Sequence, residues 1–517
     1  MTGEDHDTAS GTAEGTVSTE LTAAERAVVD RASAWIRGHE EELSDLLSAL
    51  VARPSVTGAE GRYDDPETAV GTLYQHLAER CDRAALDVQR VGEGDGPVRE
   101  NCYAVLEGAS DELFVCTSHT DTVSAGERAD WPNRDPYRLA EGTVRRVGPA
   151  EVEVSVGDRA ERRTIRDAYD RVWDRRGDGE RERAVLVGRG AYDNKSSIVC
   201  LVGALAGLER GLDAVDRDLA GTLVHGHLVG EEVSQVGAKA MVGWGDRPDW
   251  LGDRYPDPTG AAVVMEGSYG LVPAVGHRGL AWVTVRADGA SAHASTPGLG
   301  RNAVLGTAKA LARTDREAFR TAMREPFVED RLLGELTIAP GTTIVGGDVH
   351  RDRDGTIDRD GVNAVPDWCE TTFDVRFPRW EDYPDDHDGI RAELERVVET
   401  QAAAASEEVS FAARIDPDEF FPPVAIAESR AAAREHPLVA RAIRTTRSVV
   451  GYDPGVVIAP GVTDAACIGP ATGLPTIVEY GPAGALSHEP LEFVERQSVI
   501  AGSEAMAELT VRQLGLA

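Results

Sequence analysis

The chain has 517 residues, 54 Lys plus Arg against 89 Asp plus Glu, and a formal net charge of -35. That length exceeds one compact core and predicts about two to three domains, and 41% hydrophobic residues suffice to fill them. The acidic balance excludes nucleic acid and anionic lipid as partners, and no run approaches the roughly 18 apolar residues of a membrane helix.

The N-terminal stretch, residues 1–21, is rich in Ser, Thr, Gly and Glu and is expected to be disordered. It lacks the basic start and apolar run of a signal peptide, so a cytoplasmic protein is expected. Helical spacing of Val29, Ala32, Leu43, Leu46, Leu47 and Leu50 predicts a helix over 22–52, ended by Arg53-Pro54. Short apolar runs at 102–106, 113–117, 221–229, 261–265 and 475–479 read as buried strands, with a helix over 196–210 among them. This is the rhythm of an α/β fold with a mixed, mostly buried sheet. The stretch 279–420 differs: alternating strands at 280–288 and 370–377, helices at 302–312 and 390–405, and a last strand at 409–415. It predicts a small sheet-plus-helices domain inserted between 22–278 and 421–517, with a charged hairpin tip at 348–360. The six cysteines form no C-x-x-C pair and sit among apolar neighbours, which predicts buried thiols in a reducing compartment.

Polar residues follow several of these strands. His119 and Asp121 stand two apart, on one side of an extended segment, so Asp121 is placed to fix the tautomer of a ligating His119. Asp193 lies in the Gly-rich turn Gly188-Arg189-Gly190-Ala191-Tyr192-Asp193, just before a helix, where it could bridge two cations. Glu231 and Glu232 follow strand 221–229. Adjacent carboxylates in extended chain point opposite ways, so one can bind metal while the other reaches a water. Glu266 ends the next strand, and His488 follows the last. Two histidines, three carboxylates and one spare carboxylate match the needs of two zinc-like ions with room for a water. Each alone is commonly structural; together, in order and at strand ends, they point to a site. His225 and His227 lie inside a strand and are read as structural.

Ser118-His119-Thr120-Asp121, the Gly190–Lys195 turn, Gly230-Glu231-Glu232, Glu266 and Ser487-His488-Glu489-Pro490 resemble the zinc exopeptidase and deacylase family of acetylornithine deacetylase, succinyl-diaminopimelate desuccinylase, aminoacylase and glutamate carboxypeptidase. Further matches are Gly276-His277-Arg278-Gly279, Ser291-Ala292-His293-Ala294, Asn363-Ala364-Val365-Pro366, Asp374-Val375-Arg376 and Gly461-Val462-Thr463-Asp464. The likeness covers residues 23–517, and its spacing is nearest the deacetylase and desuccinylase branch. It implies a central mixed sheet flanked by helices, with an inserted α+β lid and dimerisation domain. It implies His119 and Glu266 on one divalent ion, Glu232 and His488 on the other, Asp193 bridging, and Asp121 orienting His119. Zinc is the first expectation and cobalt the second. Glu231 is implied as general base and then acid, and His293 as oxyanion donor, often across a homodimer. Arg278, Asn363, Arg376 and Thr463 are implied as substrate-binding residues.

The expected reaction is cleavage of an N-acyl amino acid or dipeptide amide by a metal-bridged water. A carbamoyl-amide hydrolase is the alternative, but Glu232-Val233 and Glu266 stand where its members tend to carry Gln-Gly and a His. A silent homologue would have lost Glu231. This sequence also departs from the family: the 74 positions from His119 to Asp193 exceed the usual interval, which predicts a charged surface insertion (a hairpin and a helix) over about 144–183. Ser196-Ser197 follows Lys195 where a glycine is usual, and Ala466 stands where many members have an arginine.

Only Lys195, Lys239 and Lys309 are lysines, and the acid is spread along the whole chain. The composition resembles proteins adapted to concentrated salt, where self-repulsion is screened. The melting temperature should therefore rise strongly between dilute buffer and molar KCl; a flat dependence would refute that reading.

Overall fold

The computed structural model describes residues 20–92, 98–177, 182–314, 317, 321–322, 330–346, 363–379 and 387–517. The expected disordered stretch lies almost entirely outside these residues, and the expected hairpin tip at 348–360 wholly so. The central sheet has six strands in the order Ala85–Val91, Arg99–Leu106, Thr222–Leu228, Glu112–His119, Thr259–Val264, Thr476–Ile477. The last four are mutually parallel and the first two antiparallel, which is the mixed sheet read from the apolar runs. Strands 112–119 and 222–228 are buried almost throughout, because both faces are covered.

The first helical stretch is two helices, Ala23–Gly38 and Glu40–Val51, rather than one. Gly38 weakens the helix, His39 turns its Nδ1 onto the Trp35 carbonyl at 2.7 Å, and Glu40, Glu41 and Glu42 favour a fresh N-terminus. Thr22 and Glu25 form a reciprocal cap at the start. Helix Lys195–Val215 packs between Ala23–Gly38 and Arg496–Leu514 so closely that a Cβ on Gly211 would lie 2.5 Å from the Val28 carbonyl oxygen. Among the described residues no helix is long and apolar enough to cross a membrane.

The inserted domain has its own antiparallel sheet, in the order Thr337–Gly346, Trp368–Phe377, Gly279–Asp288, Ser410–Arg414, with Phe420–Phe421 also on the Gly279–Asp288 strand. Every second residue of Trp368–Phe377 is buried. That face meets helices Ala303–Arg313 and His387–Ala403 through Val283, Val285, Phe373, Val375, Leu394 and Val397.

The insertion after His119 holds the expected hairpin, Glu151–Val156 with Arg159–Thr164, and helix, Asp167–Arg176, but one side of it is buried instead of lying on the surface. Strands Ala140–Gly148, Glu151–Val156 and Arg159–Thr164 form a meander, joined through Glu182–Val187 to Phe493–Glu495 and Gly484–Ala485 in a second six-stranded sheet. Its charges face outward. Val144, Val152, Val154, Tyr169, Val172 and Trp173 face inward, in a core with Tyr269, Tyr452 and Phe493. Helix Asp167–Arg176 is fastened by Arg146 to Asp170 and by Arg176 to both oxygens of Glu495 at 2.9 and 2.8 Å.

The turn that carries Asp193 is held by a buried carboxylate. Glu492 accepts hydrogen bonds from the amides of Gly190, Tyr192 and Asp193 at 3.2, 2.9 and 3.0 Å and pairs with Arg189 at 2.5 Å. Gly190 has φ +79°, which a side chain would disfavour. Both partners of the pair are sealed from solvent, Arg189 lying over Trp131. Glu492→Gln removes one charge of a buried pair and should cost about 3–5 kcal/mol. Denaturant unfolding in salt measures this, and an unchanged stability would show that the turn does not depend on the pair.

Candidate metal centre and cleft

Each chemistry-bearing side chain sits at the carboxyl end of a central strand or in a loop beside it, where open α/β sheets present their ligands. His119 is the last residue of its strand. Asp193 lies just before helix Lys195–Val215. Glu231 and Glu232 follow Thr222–Leu228, Glu266 follows Thr259–Val264, and His488 lies between Gly484–Ala485 and Phe493–Glu495. The chain brings all six together. His119 Nε2 is 3.1 Å from Asp193 Oδ1 and 3.4 Å from Glu266 Oε1. His488 Nε2 is 3.3 Å from Asp193 Oδ2 and 2.9 Å from Glu232 Oε2. His119, Asp193 and Glu266 form one trio of donors and Asp193, Glu232 and His488 a second, each with its atoms within 4.8 Å. Asp193 is common to both and turns a different oxygen to each. Glu231 belongs to neither trio; its Oε2 lies 4.0 Å from His119 Nε2.

The donor set fits a pair of divalent cations. Burial would push the His119 imidazole down, yet Glu266, Asp121, Asp193 and Glu231 hold it well above its ordinary range. Hydrogen bonds to Asp193 and Glu232 hold His488 up at about 10. Burial drives Glu266 and Glu231 well above the carboxylate range. Glu266 Oε1 is buried and accepts no hydrogen bond among the described residues. Acids that resist ionisation beside imidazoles that hold protons are a frustrated set, and dications resolve it: imidazoles deprotonate to ligate and carboxylates ionise.

Asp121 touches more than His119. The His119 Nδ1 hydrogen bond goes to the Asp121 backbone carbonyl at 3.0 Å, with the carboxylate at 3.5 Å. That carboxylate accepts from the amides of Glu231 and Glu232 at 3.0 and 3.2 Å and from the Thr57 hydroxyl at 2.8 Å. It therefore ties the imidazole and the acidic pair into one rigid unit.

Above the donors lies a cleft of about 320 Å³. Arg376 and Thr463 line it, but Arg376 is clamped by its own neighbour Asp374 at 2.7 and 2.9 Å, and the Thr463 hydroxyl donates to the Val478 carbonyl. Arg278 reaches the Glu335 carbonyl and the Thr337 hydroxyl instead of lining the cleft. His293 and Asn363 meet each other at 2.9 Å on an exposed part of the inserted domain, and neither lines the cleft. His225 and His227 stay inside their strand, wholly buried, ring against ring; among the described residues only His227 finds a hydrogen-bond partner, the Ser118 hydroxyl at 2.9 Å. Sequence reasoning missed Glu492, four residues after His488, and gave no role to the buried Asp464, which burial pushes up to about 7 and whose oxygens accept no hydrogen bond among the described residues. It also missed the wall that the insertion gives the cleft through Thr164, Ile165, Arg166 and Tyr169.

Succinyl-diaminopimelate desuccinylase of Methylorubrum extorquens is 26% identical over 460 residues, covering 87% of this chain and 93% of that one. Among solved structures, a di-peptidase of Saccharomyces cerevisiae superposes with a TM-score of 0.63 at 11% identity, covering 94% of this chain and 98% of its own. Human carnosine dipeptidase 1 superposes at 0.61 and 16% identity, covering 94% and 99%. Both share the fold, a catalytic α/β domain with an inserted domain. The model of peptidase family M20/M25/M40 matches residues 168–512. With more than half of its length matched, the chain belongs to that peptidase family and is a metal-dependent amide hydrolase.

Proposed function

We propose that the protein cleaves the amide bond of an N-acyl amino acid or a dipeptide, with two divalent cations, zinc first and cobalt second. The observation that carries this reading is Asp193, whose two oxygens face two separate donor trios. His119 and Glu266 would complete one cation site, Glu232 and His488 the other. The cations would activate a water and polarise the amide carbonyl. Glu231 is the carboxylate left outside both trios, with its Oε2 4.0 Å from His119 Nε2, a place that suits a group that takes a proton from water and returns it to the leaving amine. Asp121 keeps that carboxylate and the His119 imidazole in register through the Glu231 and Glu232 amides. Desuccinylase and dipeptidase relatives support a small amide substrate. Six buried, free cysteines suit a reducing compartment.

The inserted domain supports a homodimer. Among the described residues, strand Thr337–Gly346 is the outer strand of its sheet and largely exposed, with Ile344 at 54% and Val345 at 58%, and Leu305 of the adjacent helix is 52% exposed. An exposed apolar edge strand invites pairing with a second copy. Such pairing would give the exposed His293 a place over the cleft of the other subunit, as oxyanion donor.

The acidic pair separates the roles. Wild-type protein purified in salt should carry close to two zinc or cobalt equivalents. Glu231→Ala should keep both and lose nearly all turnover. Glu232→Ala should lose or weaken one, with activity partly restored by excess metal. Elemental analysis beside rate measurements decides this, and full activity in both variants would refute the site. For the dimer, His293→Ala should lower turnover by roughly 100-fold or more with both metals bound. Mixing it with Glu231→Ala should restore part of the activity; no recovery in verified mixed dimers would place His293 in its own subunit's reaction.

A further inference from the structure

The wall that the insertion adds to the cleft carries a cation that the metal chemistry does not use. Arg166 lies at the junction between strand Arg159–Thr164 and helix Asp167–Arg176, is exposed, and lines the cleft together with His119, Asp193 and His488. Its guanidinium donates to the Tyr269 hydroxyl at 3.5 Å. That hydroxyl accepts this bond and keeps its own proton to donate. Among the described residues, no carboxylate pairs with Arg166, and Glu479, the acid it feels most, lies beyond ion-pair distance. This is unusual in its setting. Arg376 on the opposite wall is neutralised by Asp374, and Arg189 below the metal donors by Glu492. In a chain with 89 acidic residues against 54 basic ones, an unpaired arginine on a cleft wall is conspicuous.

The placement is also rigid. Tyr169, one turn beyond Arg166, is fully buried and donates its hydroxyl to Glu495 at 2.7 Å, and Arg176 grips the same carboxylate. The meander is continuous with the strand that follows His488. The insertion therefore holds Arg166 in a fixed relation to the metal donors, and the guanidinium fork matches a carboxylate in geometry and charge.

We propose that Arg166, backed by the Tyr269 hydroxyl, is a specificity-determining residue that binds a carboxylate of the substrate remote from the scissile amide. The substrate class is then an amide bearing a free carboxylate beyond the reacting carbonyl, on the acyl or on the amine side. This rests on the reading of the cleft as a site for N-acyl amino acids or dipeptides.

The test compares wild type, Arg166→Gln and Arg166→Lys in molar KCl with both metals loaded. Two pairs of substrates distinguish the sides: an N-succinyl against an N-butanoyl amino acid, and a dipeptide against its C-terminal carboxamide. Wild type should prefer the charged member of at least one pair. In Arg166→Gln that preference in kcat/KM should fall about 10-fold or more, through KM rather than kcat, and Arg166→Lys should recover part of it. The pair affected identifies the side. Equal losses on charged and neutral members, or no loss, would overturn the proposal. Calorimetric binding of succinate and of a free dipeptide, without turnover, keeps the two readings apart. If no substrate were cleaved, the N-acyl and dipeptide reading would fail, while weaker binding to Arg166→Gln than to wild type would still support Arg166, and equal binding would overturn it.

Discussion

Carboxylates crowded together repel one another, and this protein places Asp121, Asp193, Glu231, Glu232 and Glu266 around two imidazoles at one end of its sheet. The rest of the structure is arranged so that this crowd can persist. Two of its anchors rest on backbone amides: Asp121 accepts from the Glu231 and Glu232 amides, and Glu492, beside its pair with Arg189, from three amides of the Asp193 turn. A carboxylate satisfied by amides orients a loop as well as an ion pair does, and the oxygens of Asp193, Glu232 and Glu266 stay turned toward the cation sites. The parallel strands matter because they deliver His119, Glu231 and Glu266 to the same edge from neighbouring positions. Strand order and donor spacing are therefore one constraint, and the family assignment gives that constraint its chemistry.

The site was legible in the sequence to the extent that it lies on strand ends. A buried parallel strand is a short apolar run, and the first polar residue after it falls near the ligand edge; His119, Glu231, Glu232 and Glu266 stand out for that reason. Alternation exposed the sheet of the inserted domain equally well, since one of its faces carries the apolar residues that meet helices Ala303–Arg313 and His387–Ala403. Glu492 carried no such signal. Its partners are Arg189 and the backbone amides of a turn some 300 positions away, and amides have no sequence identity. The hairpin and helix of the insertion were legible, but its buried side was missed for a related reason. Glu151, Glu153, Arg162 and Arg163 dominate its composition, yet the valines between them face a core. In a chain this acidic, outward charge is a poor guide to whether the inward side is buried. The break at His39 was likewise hidden, because the apolar stripe continues across both helices.

The three lysines show what the composition leaves room for. Lys195 and Lys239 are fully buried. Lys195 gives its ammonium to the carbonyls of Leu50 and Arg53 at 2.8 and 2.9 Å, joining the start of the central helix to the end of the second one. Lys239 donates to the carbonyl and carboxylate of Asp418 and lies over the Phe421 ring, close to where the inserted domain returns to the central one. Arg247 grips the same Asp418 carboxylate with two contacts of 2.9 Å. A compact ammonium can serve two carbonyls in a tight space where a planar guanidinium fits poorly. Lysine thus persists in the interior, where its geometry is needed, and is nearly gone from the surface.

That distribution bears on how an anionic substrate could reach the cleft. A net charge of -35 repels it at long range. The range of that repulsion is set by salt: the screening length is about 10 Å at 0.1 M and about 3 Å at 1 M. At 1 M, charges on the outer surface barely reach an approaching ligand. A guanidinium in contact with a carboxylate inside a walled cleft is screened far less. High salt would therefore remove the barrier to approach while leaving the proposed contact at Arg166 and the attraction of the proposed cations largely intact. An acidic exterior and a site for a carboxylate-bearing amide are then compatible, because the surface charge acts over distances that salt can erase and the cleft acts over distances that it cannot.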